Sequence, residues 1–211
     1  MKRALTLIEL IFTIVIIAFV FTVIPKIIYI SNKTISFSKK EDAIFNMMAK
    51  MMDVSLKEYD EQNTKYDDIL LVNNPPKYVL DCNASSGYRI GGFIGGRNCK
   101  NAVFESEIGP DANEPPYDDV DDYNATEENT TKNGHTVYTL KIEVGYTGEW
   151  KKSDYDYNTQ SLNFGFSKNF SSSHTNIKRI YIRVFNQDGN ISSISYYSAN
   201  IGHARINSVE W

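Results

Sequence analysis

Reactive side chains are scarce in this chain. It holds two cysteines and three histidines in 211 residues. Cys82 and Cys99 lie 17 apart with no nearby histidine, so they fall short of the four ligands of a structural zinc site. His135, His174 and His203 are scattered without metal-ligand spacing and read as solvated or structural. A Gly-x-Ser-x-Gly elbow, a P-loop and a Cys-x-x-Cys pair are all missing. The cluster Gly91-Gly92-Phe93-Ile94-Gly95-Gly96 has the wrong spacing for a dinucleotide loop and opens no helix, so turns and bulges explain it. Basic runs are absent too, and the formal charge is −4, so nothing points to nucleic acid. From Glu105 to Thr131 there is no Lys or Arg at all, while Asp111, Glu114, Asp118, Asp119, Asp121, Asp122, Glu127 and Glu128 fall in it. This reads as a solvated acidic loop, although sequence alone leaves a hydrolytic carboxylate pair open.

Charge is also missing from Leu10 to Pro25, where Thr13 and Thr22 carry the only hydroxyls. Leu5 to Ile24 is 20 residues, about 30 Å of helix at roughly 1.5 Å per residue, which matches the hydrocarbon core of a bilayer. Ten of the 14 residues from Ile11 to Ile24 are β-branched. Such residues favour strands in water, but lipid offers the backbone no partners and so imposes helix. Lys2 and Arg3 precede the run, and Glu9 sits just inside it. A carboxylate at the edge of hydrocarbon asks for a partner or a purpose. The alternative is a plain signal-anchor or cleaved secretory signal. No small-x-small cleavage site follows the run, however, and neither alternative accounts for Glu9.

Met1-Lys2-Arg3-Ala4-Leu5-Thr6-Leu7-Ile8-Glu9 resembles the N-terminus of type IV prepilins and type II secretion pseudopilins. In that family a short basic leader ends in Gly or Ala, and the mature chain opens with one residue followed by Thr-Leu-Ile-Glu. The likeness covers about the first 30 residues. It implies cleavage by a prepilin peptidase between Ala4 and Leu5, and methylation of the new Leu5 amine. It also implies that Glu9 guides assembly by meeting the amine of a neighbouring subunit. The implied partners are the prepilin peptidase, other pilin or pseudopilin subunits, an inner-membrane assembly platform and, before assembly, membrane lipid. The implied location is the bacterial inner membrane, N-terminus cytoplasmic and body periplasmic, and then a pilus or pseudopilus fibre. Lys2 and Arg3 agree with that orientation. The size of the body and a cysteine pair far from the C-terminus lean towards a minor pilin or pseudopilin, a structural subunit and not an enzyme. A membrane-anchored extracytoplasmic enzyme or binding module is the alternative, and an adhesive or DNA-uptake tip subunit keeps the same fold.

The expected organisation is a leader at 1–4, a membrane and assembly helix at 5–25, an amphipathic continuation at 26–60 and a β-rich body at 61–211. Pro25 is expected to kink or interrupt the helix. Beyond it Phe37, Ile44, Phe45, Met48, Met51, Met52 and Tyr59 recur at three- and four-residue steps. Ser38-Lys39-Lys40-Glu41 has the form of a capping box, so a restart there competes with one long helix, which is preferred. In an oxidising compartment Cys82 and Cys99 most simply form one disulfide, with two free thiols as the alternative. Period-two alternation marks strands at Tyr138–Tyr146, Leu162–Phe166, Ile180–Val184 and Ile194–Tyr196, and Asp188-Gly189 marks a hairpin. The fold class is α+β, a long N-terminal helix packed on an antiparallel sheet.

No cofactor is expected. Some pseudopilins bind calcium, and Asp154, Asp156 and Asn158 offer oxygen at the first, third and fifth places of an EF-hand-like loop. Thr159 stands where the sharp turn needs Gly, and Gly165 stands where the bidentate Glu belongs, which rejects a true EF-hand. An irregular site there or among Asp118 to Asp122 is the weaker reading, and charged turns that keep a β-surface soluble are the stronger one.

Overall fold

The computed structural model describes residues 6–65, 69–78, 80–89, 99, 103–110, 117–149, 155–156, 161–162 and 167–201. The chain falls into two compact units, Met1–Ala43 and Ile44–Trp211. One helix, α1 (Leu7–Ser55, 49 residues), begins in the first and ends in the second. It runs without a break through both Pro25 and the Ser31–Ser38 stretch, so the helix does not restart at Ser38. A proline removes one backbone bond from a helix, and here the remaining ladder carries the chain past it. The helix stops at Ser55, short of residue 60. Leu56 and Lys57 turn off it through bonds to the carbonyls of Asp53 (3.3 Å) and Val54 (3.1 Å). Tyr59 is buried, but outside the helix.

In the body, α1 is followed by the five-residue α2 (Glu61–Lys65) and the short strands β1 (Cys82–Asn83) and β2 (Tyr88–Arg89). A 3-10 turn at Asp121–Tyr123 precedes β3 (Glu127–Lys132) and β4 (His135–Tyr146). Then come β5 (Tyr155–Asp156), β6 (Ser161–Leu162), β7 (Ile177–Asn186) and β8 (Gly189–Ala199). The main sheet has the order β3-β4-β7-β8, antiparallel throughout. Its register stacks Ile142 against Ile182 and Ile182 against Ile194, one row across three strands. Tyr138, Leu140, Ile142 and Val144 of β4 are buried with Ile180, Ile182 and Val184 of β7. Met47, Met51 and Val54 bring the last turns of α1 into the same core. Polar contacts fix the helix on the sheet. The Asn46 amide meets the Tyr138 hydroxyl, and the Lys50 ammonium lies 2.5 Å from Glu128.

The hairpin at Asp188-Gly189 is present: Asn186 pairs with Gly189, and Gly189 takes φ +122°, which a side chain would resist. Leu162 falls in β6, whereas Phe164 and Phe166 lie outside the described residues. The stretch read as one acidic loop to Thr131 ends in a strand instead. Glu-Glu-Asn-Thr-Thr-Lys of β3 has no apolar alternation because it is an edge strand, almost wholly exposed on both faces. Asn200 pins the chain beyond β8 to the segment around Leu70, whose N–H donates to it (3.0 Å) and whose carbonyl accepts from it (2.9 Å).

Cys82 and Cys99 are disulfide-bonded, with Cα atoms 6.2 Å apart, and both are buried with Ile69 and Leu71. Thiol alkylation of the native protein should therefore label nothing, and two new thiols should react after reduction. Reduction should also lower stability by about 3 kcal/mol, as expected for a short closed loop. Full labelling of the unreduced protein would remove the bond from this account.

Candidate functional site

Two regions concentrate functional side chains, one in each unit. In the first, nearly every apolar residue from Leu7 to Ile30 points outward, with Leu7 77%, Phe19 69% and Phe21 75% exposed. By length and composition α1 is the one helix among the described residues able to cross a membrane. Its threonine hydroxyls are satisfied within the helix. Thr13 donates to the Glu9 carbonyl (2.6 Å), Thr22 to those of Ala18 (3.1 Å) and Phe19 (2.9 Å), and Thr34 to that of Ile30 (3.0 Å). A helix that closes its own polar groups in this way leaves an apolar exterior suited to lipid.

Glu9 is exposed and opens the helix. Its Oε2 accepts from the Thr6 N–H at 3.4 Å and faces the Thr6 hydroxyl at 3.5 Å. Thr6-Leu7-Ile8-Glu9 thus shows the carboxylate half of a capping box, with Glu9 reaching back to the Thr6 N–H. The carboxylate also sits at the positive end of the helix dipole. The Ser/Thr-x-x-Glu pattern that the sequence shows at Ser38–Glu41 is present at Thr6–Glu9 as well. Ala4 and Leu5 lie outside the described residues. Pro25 lies within α1.

The second region is a buried charge centre where the segment that follows α1 meets the sheet. Lys178, on β7, is fully buried. Its ammonium has three protons and three acceptors: the Tyr59 carbonyl at 2.9 Å, Asp60 Oδ2 at 3.2 Å and Asp121 Oδ1 at 2.7 Å. It also lies 4.4 Å from the centre of the Tyr59 ring. Burial works against the ammonium, but Asp121 and Asp60 outweigh it and hold the group charged, its pKa above the ordinary lysine value. Asp60 further accepts from the Ser106 N–H (3.0 Å) and hydroxyl (3.1 Å) and, through Oδ1, from the Gln62 N–H (3.1 Å), which caps α2.

The acidic residues read as soluble turns are turned inward here. Asp119, Asp121 and Asp122 are 2%, 1% and 6% exposed. Asp119 Oδ1 accepts the N–H groups of Asp121 (3.0 Å) and Asp122 (3.1 Å), an Asx turn that aims Asp121 at Lys178. Burial, and then repulsion from Asp121, raises the Asp119 pKa far above the carboxylate range. Burial raises Asp121 as well, with Lys178 pulling it back.

Asp60, Glu61 and Asp121 present oxygens within 4.8 Å of one another, the one grouping among the described residues able to approach a metal's ligand set. The Lys178 ammonium lies against two of the three and supplies the positive charge that a cation would bring. Of the calcium candidates in the body, Asp154 and Asn158 lie outside the described residues, and Asp156 falls in β5.

Beside this centre runs a carboxylate–imidazole pair. Glu105 Oε1 lies 2.6 Å from His174 Nδ1, and Glu105 Oε2 lies 3.0 Å from the Tyr59 hydroxyl. Burial pushes Glu105 up to about 6, against the pull of Lys178, His174 and Tyr59. The His174 ring stacks on Tyr146 at 4.7 Å and faces a surface cleft of about 420 Å³ lined by Asn73, Lys77, Phe104 and Ser173. Among the described residues the imidazole bonds the Glu105 carboxylate. His135 opens β4 at the exposed end of its hairpin, and His203 lies outside the described residues.

Comparison with protein-family models, with curated proteins and with solved structures finds no match to this chain.

Proposed function

We propose that this chain is a pilin-like structural subunit, a minor pilin or pseudopilin. On this reading prepilin peptidase removes residues 1–4. The subunit then waits in the bacterial inner membrane, with its N-terminus cytoplasmic and its body periplasmic. An assembly platform adds it, with other pilin or pseudopilin subunits, to a type IV pilus or type II secretion pseudopilus. The observation that carries this is α1 itself. A single unbroken helix begins with a capping-box carboxylate, continues through a long run of outward-facing apolar side chains, and ends in the body's core. A lone membrane anchor needs the apolar run only. It has no use for a carboxylate at the start of that run, nor for a helix continuous with the folded body.

The second reading, a membrane-anchored binding module or enzyme, draws on the Glu105–His174 pair and its cleft. Structural use of the same groups fits better. Glu105, Tyr59 and Lys178 spend their hydrogen bonds holding the loop at 103–110, the segment that follows α1 and β7 together.

Mass spectrometry of the mature protein tests the proposal. The expected chain begins with N-methylated Leu5. A mature start beyond residue 20 would identify a secretory signal and end the pilin reading.

A further inference from the structure

Tyr59 stands between two acceptors with one proton to give. Its hydroxyl oxygen lies 3.0 Å from Glu105 Oε2 and 2.8 Å from the Thr175 carbonyl, both within hydrogen-bond range. A phenol donates once and also accepts, whereas a carbonyl only accepts. Both bonds therefore exist together only when Glu105 carries a proton on Oε2 and donates it to Tyr59. The other oxygen of Glu105 agrees with this, since Oε1 lies 2.6 Å from His174 Nδ1, an N–H donor in the charged ring and in one neutral tautomer. The Glu105 side chain is 2% exposed and that of His174 is 40% exposed, so the imidazole stands between the buried acid and solvent. The groups that face Glu105 are Tyr59 from the segment after α1, Tyr146 at the end of β4, His174, and Lys178 on β7. Lys178 is itself held by Asp60 and Asp121, and Lys77 and Glu107 line the cleft beside His174.

We propose that Glu105 is a proton-operated latch between the segment that follows α1 and the entry to β7. As a neutral acid it accepts from His174 and donates to Tyr59, and Tyr59 donates to the Thr175 carbonyl. Every proton in the row then points one way, from the cleft towards β7. As a carboxylate Glu105 takes the Tyr59 proton for its own bond, because a charged acceptor is roughly twice as strong as a neutral one. The Thr175 carbonyl then loses the Tyr59 donor, and the row comes apart at its inner end. Burial raises the Glu105 pKa to about 6, against the pull of Lys178, His174 and Tyr59, which sets the latch in the mildly acidic range. A folded pKa above the unfolded value gives stability that is complete in acid and is lost as pH rises through about 6. The latch belongs to the body alone and does not rest on the pilin reading.

Glu105→Gln in the full-length chain, in detergent micelles with the native disulfide intact, tests this. The amide copies the neutral acid, with Nε2 donating to Tyr59 and the carbonyl accepting from His174. Denaturant melts give the ratio of folding constants, variant over unaltered chain, in which groups common to both largely cancel. That ratio should rise about tenfold from about pH 5 to about pH 7.5. Hydrogen exchange read by mass spectrometry gives a second measure that needs no variant to fold. Corrected for intrinsic rates, protection of residues 173–178 should fall in the unaltered chain as pH climbs through about 6, and in Glu105→Gln it should stay level. A ratio that is flat or falls with pH would overturn the proposal, because Glu105 would then serve as a carboxylate paired with His174. Protection in the unaltered chain that does not change across this range would overturn it as well.

Discussion

Lys178→Met is expected to destabilise the body by about 3–5 kcal/mol at neutral pH, the cost of leaving buried charge uncompensated when one partner of an ion pair is removed. Methionine fills most of the space of the lysine stem but donates nothing. Asp60 and Asp121 then stay buried without the cation that both contact, and the Tyr59 carbonyl loses its donor. The loss should depend on pH in a definite sense. Burial raises the Asp121 pKa to about 6 in the folded chain, with Lys178 pulling the other way, so the variant's carboxyl rises further still. A carboxyl whose folded pKa lies above its unfolded value favours folding when protonated, and that contribution is lost as pH climbs through the folded pKa. The deficit of Lys178→Met should accordingly be largest above neutral pH and shrink as pH falls to about 6, because the Asp121 carboxyl takes up its proton at a higher pH in the variant than in the unaltered chain. Adding Asp60→Asn and Asp121→Asn should recover much of the loss at pH 7, because no buried charge then remains in the trio. Denaturant melts of the full chain followed by aromatic fluorescence measure all of this. A deficit under about 1 kcal/mol, the range of ordinary substitutions, or one that does not change with pH would show that the centre does not hold the body together.

The sheet was legible because its strands alternate. Tyr138 to Val144 and Ile180 to Val184 present one apolar face each, and period two can mean little else. β3 was hidden for the opposite reason: an edge strand with both faces in water has no pattern to read. The charge centre was half visible. Lys178 sits two residues before Ile180 and so shares the inward parity of Ile180, Ile182 and Val184. A lysine at a core position announces a buried acidic partner. Nothing in the sequence says that Asp60 and Asp121 are that partner, since they lie 118 and 57 residues away and meet Lys178 only through the fold. Composition pointed the wrong way there. A stretch rich in Asp with no Lys or Arg reads as solvated, yet its counter-ion comes from a distant strand. The helix end was misplaced by similar logic. Tyr59 continues the helical spacing of apolar positions, but its hydroxyl is placed between Glu105 and the Thr175 carbonyl, and its own carbonyl serves Lys178.

Glu9→Gln is expected to leave processing and membrane insertion intact while cutting incorporation into the fibre by an order of magnitude or more. In the subunit alone Glu9 already has a task, capping the Thr6 N–H at the start of α1. Glutamine can perform the same task, because the capping box accepts Glu or Gln at this position. The substitution therefore separates two roles that Glu9→Ala would confuse, since alanine removes both the cap and the charge. In the proposed assembly, cleavage after Ala4 frees a cationic amine on Leu5, and the Glu9 carboxylate of an adjacent subunit meets it in an apolar setting. Opposite charges roughly 4 Å apart attract by about 4 kcal/mol at an effective dielectric of about 20, against about 1 kcal/mol in bulk water. The pairing thus matters most once the helices have left water, which is where register has to be set. Deleting the charge should cost the guided step and spare those before it. The measurement is the ratio of variant to unaltered subunit in sheared fibres, alongside the mature mass of the membrane-bound pool. If Glu9→Gln enters the fibre as well as the unaltered chain does, while Glu9→Ala does not, then Glu9 acts only as a helix cap and the carboxylate does not guide assembly.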